Sequence, residues 1–360
     1  MGSDFMVKIR PYQSGDEKQI LPLFKEVFAK DREESHWRWQ FLENPASKPI
    51  IILAEDTERI VGQCTLLPTK MIAQNQEMLA GQSIDTMLSK SHRGQGLHKQ
   101  MADETYRIAL EDQIQFRIGF PSQDALRGLL GGIGSTLVTE IPLYTHIYKL
   151  DSLFLPIVKL KPLAVLFSRL GTGILNFGHR VKKIKPDSPY TLKEITEFDT
   201  SFDELAQQLL KEGQVMAQRS SDFLNWRIAK HPEYEYTTYA AYQDNQLRGY
   251  IILKLEDRKI KGRFDTKFGS IVDLIGLNQE IIEVLYARAQ SYFRQNQTDF
   301  VVTWMTENMK HKNVLTRMGF RKSKSTIPFV VKTLVENEAL DQEIKEEKNW
   351  YLMPIESDFY

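Results

Sequence analysis

Apolar residues at Ile20, Leu23, Phe24, Val27 and Phe28 recur with the spacing of one helical face. Ser14 and Glu17 precede that run at the separation of a capping box, so the helix is expected to open there, and Pro22 is expected to kink or delay it. A strand is expected at 7–9. Further strand-like runs fall at 50–54, 60–67, 70–73 and 83–88, divided by polar turn residues. A second helix starts near Gly96 and carries Leu97, Met101, Thr105 and Ile108 on one side. Beyond it come a strand at 116–120, a short helical segment at 124–130 and extended chain at 136–148. The order β, α, three or four β, α, β, α, β describes an α/β (α+β) sandwich on a mixed sheet.

The pattern then repeats. Trp39, Pro45, Ala54 and Gly62 recur as Trp226, Pro232, Ala241 and Gly249 at one spacing of 187 residues. Asp85 and Asp273, Phe116 and Phe300, and Gly134 and Gly319 keep close to it, so one fold is used twice. The spacing shortens between Asp273 and Phe300. There the first half reads Ser-His-Arg-Gly-Gln-Gly, whereas the second reads Leu277, Asn278, Gln279 and Glu280, with no glycine and an added carboxylate. The expected organisation is a domain at 7–150, a helical linker at 151–190, a second copy at 191–335 and a tail at 336–360.

Composition narrows the class. A chain of 360 residues suits two domains at about 150 residues each, and 42% hydrophobic with 26% charged residues is ordinary for a globular protein. Forty-seven basic residues balance forty-seven acidic ones, so no global field draws the protein to nucleic acid or an anionic membrane. The lone Cys64 has no disulfide partner and reads as a small core residue. With no leader sequence in view, the expected location is the cytoplasm. Met1 to Phe5, ahead of Met6, read as an appendage outside the fold. The apolar segment at 153–177 is broken by Pro156, Lys159, Lys161, Pro162 and Arg169, and reads as an amphipathic connector and not a membrane span. The acidic run at 336–347 reads as a solvated helix face.

The loop lost from the second half carries the chemistry. Arg93-Gly94-Gln95-Gly96-Leu97-His98 lies between a strand ending near Leu88 and a helix. Amides at a helix N-terminus lack intrahelical partners and point along the positive end of the dipole, which suits phosphate oxygens. Glycines let the main chain approach the ligand, and Arg93 adds a forked cation.

The stretch Ser83-Ile84-Asp85-Thr86-Met87-Leu88 followed by Arg93-Gly94-Gln95-Gly96 resembles motif A of the GNAT acetyltransferases, over about residues 7 to 150. Arg93 and Gly96 match the loop pattern, and His98 stands where a small residue is usual. The resemblance implies two GNAT-like α/β/α sandwich domains in tandem, the first binding acetyl-CoA. Main-chain groups of Met87 and Leu88 would pair with the pantetheine arm, and amides from Gly94 through Gln95, Gly96 and Leu97 to His98 would hold the pyrophosphate. Ser122, just after the fifth strand, joins the cofactor-binding set. No metal is implied.

In this family a tyrosine after the fifth strand often protonates the leaving thiolate; Leu126 occupies that position here, which leaves Tyr144, Tyr148 or no acid at all. Asp85, beside Ile84 and Met87, is the candidate general base, against a structural role suggested by its repeat at Asp273. His36, Trp37 and Trp39 either line an acceptor cleft or, as the repeat of Trp39 suggests, pack the fold. The expected activity is acetyl transfer to a primary amine, small molecule or peptide, with the second domain shaping the acceptor cleft or a homodimer contact. The rival readings are a non-catalytic acyl-CoA-binding module and a tRNA-dependent aminoacyltransferase of the peptide-bridge kind.

Overall fold

The computed structural model describes residues 7–149, 188–260, 264–307, 309 and 312–358. Met1 to Phe5, the 153–177 segment and all but the last three residues of the expected linker lie outside them.

The first half runs β1 (Lys8–Pro11), α1 (Glu17–Phe28), α2 (Glu34–Leu42), β2 (Ile50–Asp56), β3 (Arg59–Ala73), β4 (Gln76–Leu88), α3 (Leu97–Glu111), β5 (Phe116–Gly119), α4 (Gln123–Gly132) and β6 (Thr136–Ile147). The second half runs β7 (Thr191–Ile195), α5 (Thr200–Leu209), β8 (Met216–Ala217), α6 (Ser221–Leu224), which continues into a π-turn at Asn225–Ala229, and β9 (Tyr236–Gln243). It continues with β10 (Gln246–Ile260), β11 (Phe264–Gly276), α7 (Gln279–Gln295), β12 (Phe300–Trp304), α8 (Lys312–Arg317), β13 (Arg321–Thr333) and α9 (Glu338–Lys345). Apart from β8 and α9, the second half repeats the element order of the first. The repeated residues are structurally equivalent: Ala54 lies opposite Gly62 across β2 and β3, and Ala241 lies opposite Gly249 across β9 and β10.

The chain forms two compact units, each drawn from three stretches of sequence: Met1–Glu140, Leu210–Glu233 and Ile327–Trp350 in the first, and Ile141–Leu209, Tyr234–Thr326 and Tyr351–Tyr360 in the second. The first unit's sheet runs β1-β2-β3-β4-β5-β13, antiparallel except for β4 beside β5, with β8 added to β3. The second runs β6-β12-β11-β10-β9-β7, antiparallel except for β11 beside β12. The last strand of each half therefore completes the other half's sheet: Val330–Thr333 pair with β5, and Leu143–Ile147 pair with β12.

Alternation along the strands sorts the first unit's core into two layers. Ile50, Ile52 and Ala54 face α3 and α4 together with Met101, Ala102, Leu126 and Leu129. Ile51 and Leu53 face the other way, with Ile20, Leu23 and Phe24 of α1 and Trp37, Trp39 and Phe41 of α2. Trp226, at the π-turn, enters this second layer, stacking on Trp39 with ring centroids 5.2 Å apart. Trp39 Nε1 donates to the Trp226 carbonyl at 2.9 Å, and Trp226 Nε1 donates to the Trp39 carbonyl at 3.0 Å. The repeated tryptophans are thus packing residues that satisfy each other.

Several local expectations change. No side-chain cap opens α1: it starts after Asp16, Glu17 accepts from the Gly15 amide at 2.8 Å, and Pro22 is carried inside a continuous helix. The two runs at 60–67 and 70–73 are one strand, because Pro68 keeps a sheet position opposite Gly81 while its carbonyl accepts from Asn44. The acidic run is solvated on one side only; Leu340 and Ile344 of α9 are fully buried, and Glu343 accepts from the Gln74 amide. No helix among the described residues is long and apolar enough to cross a membrane.

Replacing Trp39 by alanine should cost about 3 to 5 kcal/mol, the range for a large buried aromatic, and Trp226→Ala a similar amount. Because the two share reciprocal bonds, urea denaturation of the double variant should show a coupling of roughly 0.5 to 3 kcal/mol; strict additivity would contradict the paired contact.

Candidate functional site

Strand β4 pairs with β5 only over Ala80–Ser83, against Phe116–Gly119. β5 then ends while β4 continues to Leu88, so the strands part and, among the described residues, no strand lies beside the β5-facing edge of β4. A bulge sits where they diverge: Gln63 pairs with Met87 and Thr65 with Ile84, leaving Asp85 and Thr86 opposite Cys64 alone. Asp85 takes the left-handed φ of 46°, uncommon for a residue with a Cβ, and its carbonyl accepts from Gln63 Nε2 at 3.2 Å. Met87 turns into the α1 and α2 layer, and Leu88 packs on the α3 side.

From Leu88 the chain passes through a turn of 3₁₀ helix at Lys90–His92 and enters α3 through Gly94 and Gly96, at φ 80° and 76°. A Cβ added to either glycine would meet nothing within 4 Å, so the loop's upper surface is open. Gly96 is the N-cap of α3 and supplies no side-chain acceptor, which leaves the first-turn amides of Leu97, His98 and Lys99 without one. The loop is tied from below. Ser89 Oγ donates to Glu26 of α1 at 2.6 Å, His92 bridges Asp56 at 3.1 Å and Ser91 at 2.9 Å, and Arg93 Nε donates to the Leu88 carbonyl at 3.2 Å. Gln95 Nε2 reaches the Ser91 carbonyl at 3.3 Å. These anchors were not evident from sequence, because Glu26 and Asp56 reach the loop only through the fold.

The corresponding place in the second unit is closed. β11 also carries a bulge and also outruns its parallel partner β12. Its connection to α7 is only Leu277 and Asn278, and the Asn278 side chain accepts from the Ile281 amide at 2.9 Å while donating to the Tyr190 hydroxyl. A Cβ on Gly276 would lie 2.6 Å from Ile282, so α7 packs directly on the strand. One helix start is bare and open; the other is capped by its own residue.

The remaining site residues divide. Asp85 makes a two-pronged ion pair with Arg32, in the α1–α2 connection, whose guanidinium also lies 4.0 Å over the Phe24 ring. Its repeat Asp273 is fully buried and accepts from the Tyr250 hydroxyl at 2.8 Å. Ser122 caps α4, accepting from the Ala125 amide. Leu126 is buried in the α3 and α4 core. Tyr144 and Tyr148 belong to the second unit, both buried, and burial pushes the Tyr148 phenol well above its usual range. Trp37 packs against Tyr12 and Phe41, and His36 pairs with Glu233 at 2.7 Å beside the His231 ring. The Cys64 thiol is buried, which pushes its pKa up. Among the described residues no cluster of three or more His, Cys, Asp or Glu could hold a metal.

Residues 8–131 match the family model described as an acetyltransferase (GNAT) domain. The fold is also found in solved structures of low identity. A GCN5-related N-acetyltransferase from Anabaena variabilis is 13% identical with a TM-score of 0.64, covering 92% of this chain and 73% of its own. A probable N-acyltransferase from Enterococcus faecalis is 12% identical with a TM-score of 0.61, over 91% and 73%. The N-myristoyltransferase of Saccharomyces cerevisiae, solved with bound myristoyl-CoA, is 11% identical with a TM-score of 0.60, over 90% and 82%. No curated protein matches by sequence. Residues 8–131 thus match a GNAT acetyltransferase domain, and the solved structures share the fold.

His98, in the first turn of α3, is held below the usual histidine pKa of 6.5 by burial and then by the Arg117 charge. The unfolded chain therefore binds a proton that the folded one refuses, and stability should fall as pH drops below 6.5. An NMR titration should place the His98 midpoint below 6.5 in the folded protein; a midpoint at or above that value would contradict the burial described.

Proposed function

We propose that the first unit transfers an acetyl group from acetyl-CoA to a primary amine. The observation that carries this reading is the uncapped, open start of α3 beside a strand edge left free by the parting of β4 and β5. The amides of Gly94, Gln95, Gly96, Leu97 and His98, with the Arg93 guanidinium, would hold the diphosphate, which needs both donors and positive potential. Main-chain groups of Met87 and Leu88 would pair with the pantetheine arm as a strand added to that edge, and Ser122 would stand at the mouth of the fork. Acyl-CoA bound to the yeast N-myristoyltransferase supports the same use of this fold. The second half would be a GNAT-like copy whose seat is filled by Asn278, lending structure and not cofactor binding.

In the reaction the amine lone pair attacks the thioester carbonyl; a C–N bond forms, the C–S bond breaks, and the thiolate departs. The amine proton leaves with it or to solvent. Asp85 lies on the acceptor side, with α1 and α2, and an incoming ammonium would exchange for Arg32 at its carboxylate before giving up a proton there. Holding amine and thioester together supplies most of the acceleration. With Leu126 in the core in place of a phenol, the thiolate leaves without a positioned acid, and a general acid ordinarily adds about 10² to 10⁴-fold. That same residue favours a second reading, an acyl-CoA-binding unit of little catalytic power.

Saturating acetyl-CoA should raise the melting temperature of the full chain by roughly 5 to 10 °C, the effect of a ligand at about a hundred times its Kd. Gly96→Glu, which puts a carboxylate at the seat and a side chain at φ 76°, should abolish the shift while circular dichroism stays native. No shift in the wild type, or equal shifts in both, would remove the proposal. Thiol release over a panel of amines then separates enzyme from binder, and Asp85→Asn should lower kcat with little change in acetyl-CoA affinity.

A further inference from the structure

Between α3 and α4 the basic side chains of Arg117 and Lys332 meet, with His98 within reach of the Arg117 charge, and among the described residues no acid is bonded to either. Arg117, on β5, is 1% exposed; one guanidinium nitrogen donates to Ser135 Oγ at 2.7 Å, and its Nε has no partner. Its cross-strand partner Lys332 bonds the Ile133 carbonyl at the end of α4 and lies 4.9 Å from the ring centroid of Tyr106 on α3. His98, on the same helix, has a buried Nε2 without a partner. Asp103, whose charge acts on Lys332, is exposed and bonded to Lys99 at 2.6 Å.

Lysine and histidine can shed their charge when buried, and both respond that way here, through burial first and the Arg117 charge second. Arginine cannot. A buried guanidinium facing a serine hydroxyl and a phenol is left without a counter-charge, which is costly unless an anion supplies one. Arg117 also stands at a particular depth. Two residues farther along β5, on the same face, Gly119 marks the point where β4 parts from β5. A thioester whose diphosphate sits at the α3 start and whose arm runs down the free edge of β4 brings its acyl end to this fork. The phosphates stay at the other end.

We infer that Arg117 and Lys332 form a seat for a carboxylate at the far end of the acyl group, so that the donor site favours a short dicarboxylic acyl-CoA over acetyl-CoA. The inference rests on the acyl-CoA reading of this unit. The transfer is otherwise unchanged: the amine forms its C–N bond at the thioester carbon, the C–S bond breaks, the thiolate leaves with the proton the amine gives up, and the distal carboxylate stays intact.

Calorimetry on the full chain with coenzyme A, acetyl-CoA, succinyl-CoA and their 3′-dephospho forms tests this. Succinyl-CoA should bind at least about tenfold more tightly than acetyl-CoA, a difference of about 1.4 kcal/mol. In Arg117→Gln, shown folded by circular dichroism, the ratio of the two affinities should fall to near one. Equal affinities in the wild type would overturn the inference even if the variant failed to fold, as would a preference that survives Arg117→Gln. A loss on removing the 3′-phosphate that disappears in Arg117→Gln would assign the seat to the nucleotide end and equally overturn it. If none of the thioesters nor coenzyme A binds, the acyl-CoA reading falls first and takes this inference with it.

Discussion

The proposed function depends on amides at the start of α3 that the chain does not satisfy for itself. A helix N-terminus normally finds an acceptor in its own N-cap residue, as Asn278 does for α7. Gly96 offers none, and the space above it is open. The fold maintains this unfinished state by tying the loop from beneath, through Ser89 to Glu26 and His92 to Asp56, so that it cannot collapse onto its own donors.

The two halves show what one architecture does with and without that provision. Both carry a bulge in the fourth strand and a parallel fifth strand that stops short. In the second, a two-residue connection brings α7 down onto Gly249 and Gly276, glycines at which a Cβ would collide with Ile281 and Ile282. Glycine serves two ends: Gly94 and Gly96 shape an open loop in the first half, whereas Gly249 and Gly276 permit close packing in the second. Buried charge follows the same division: Asp273 is satisfied by a tyrosine inside the second unit, whereas Arg117 in the first has no anion of its own.

Much of this was legible from residue order. The apolar periodicity of α1 and α3, the strands of the first sheet and the glycine loop follow from local pattern, and the repeat spacing fell on residues that prove to be cross-strand equivalents. Features that depend on residues distant in sequence were not legible. Exchange of the last strands cannot be read from periodicity, since β6 and β13 look the same whichever sheet they complete. Pro22 was expected to kink or delay its helix and a turn was expected between 67 and 70, yet tertiary packing carries both elements through. Asp85 read as a candidate general base, with a structural role as the alternative, and its partner Arg32 could not be named because it lies 53 residues away.

The most direct measurement of the central claim is amide hydrogen exchange with and without coenzyme A, resolved to single residues. The account predicts new protection of the amides from Gly94 to His98 and along Met87 and Leu88, with no change from Asn278 to Ile281. Protection confined to the second unit, or none at the α3 start while coenzyme A is bound, would contradict it.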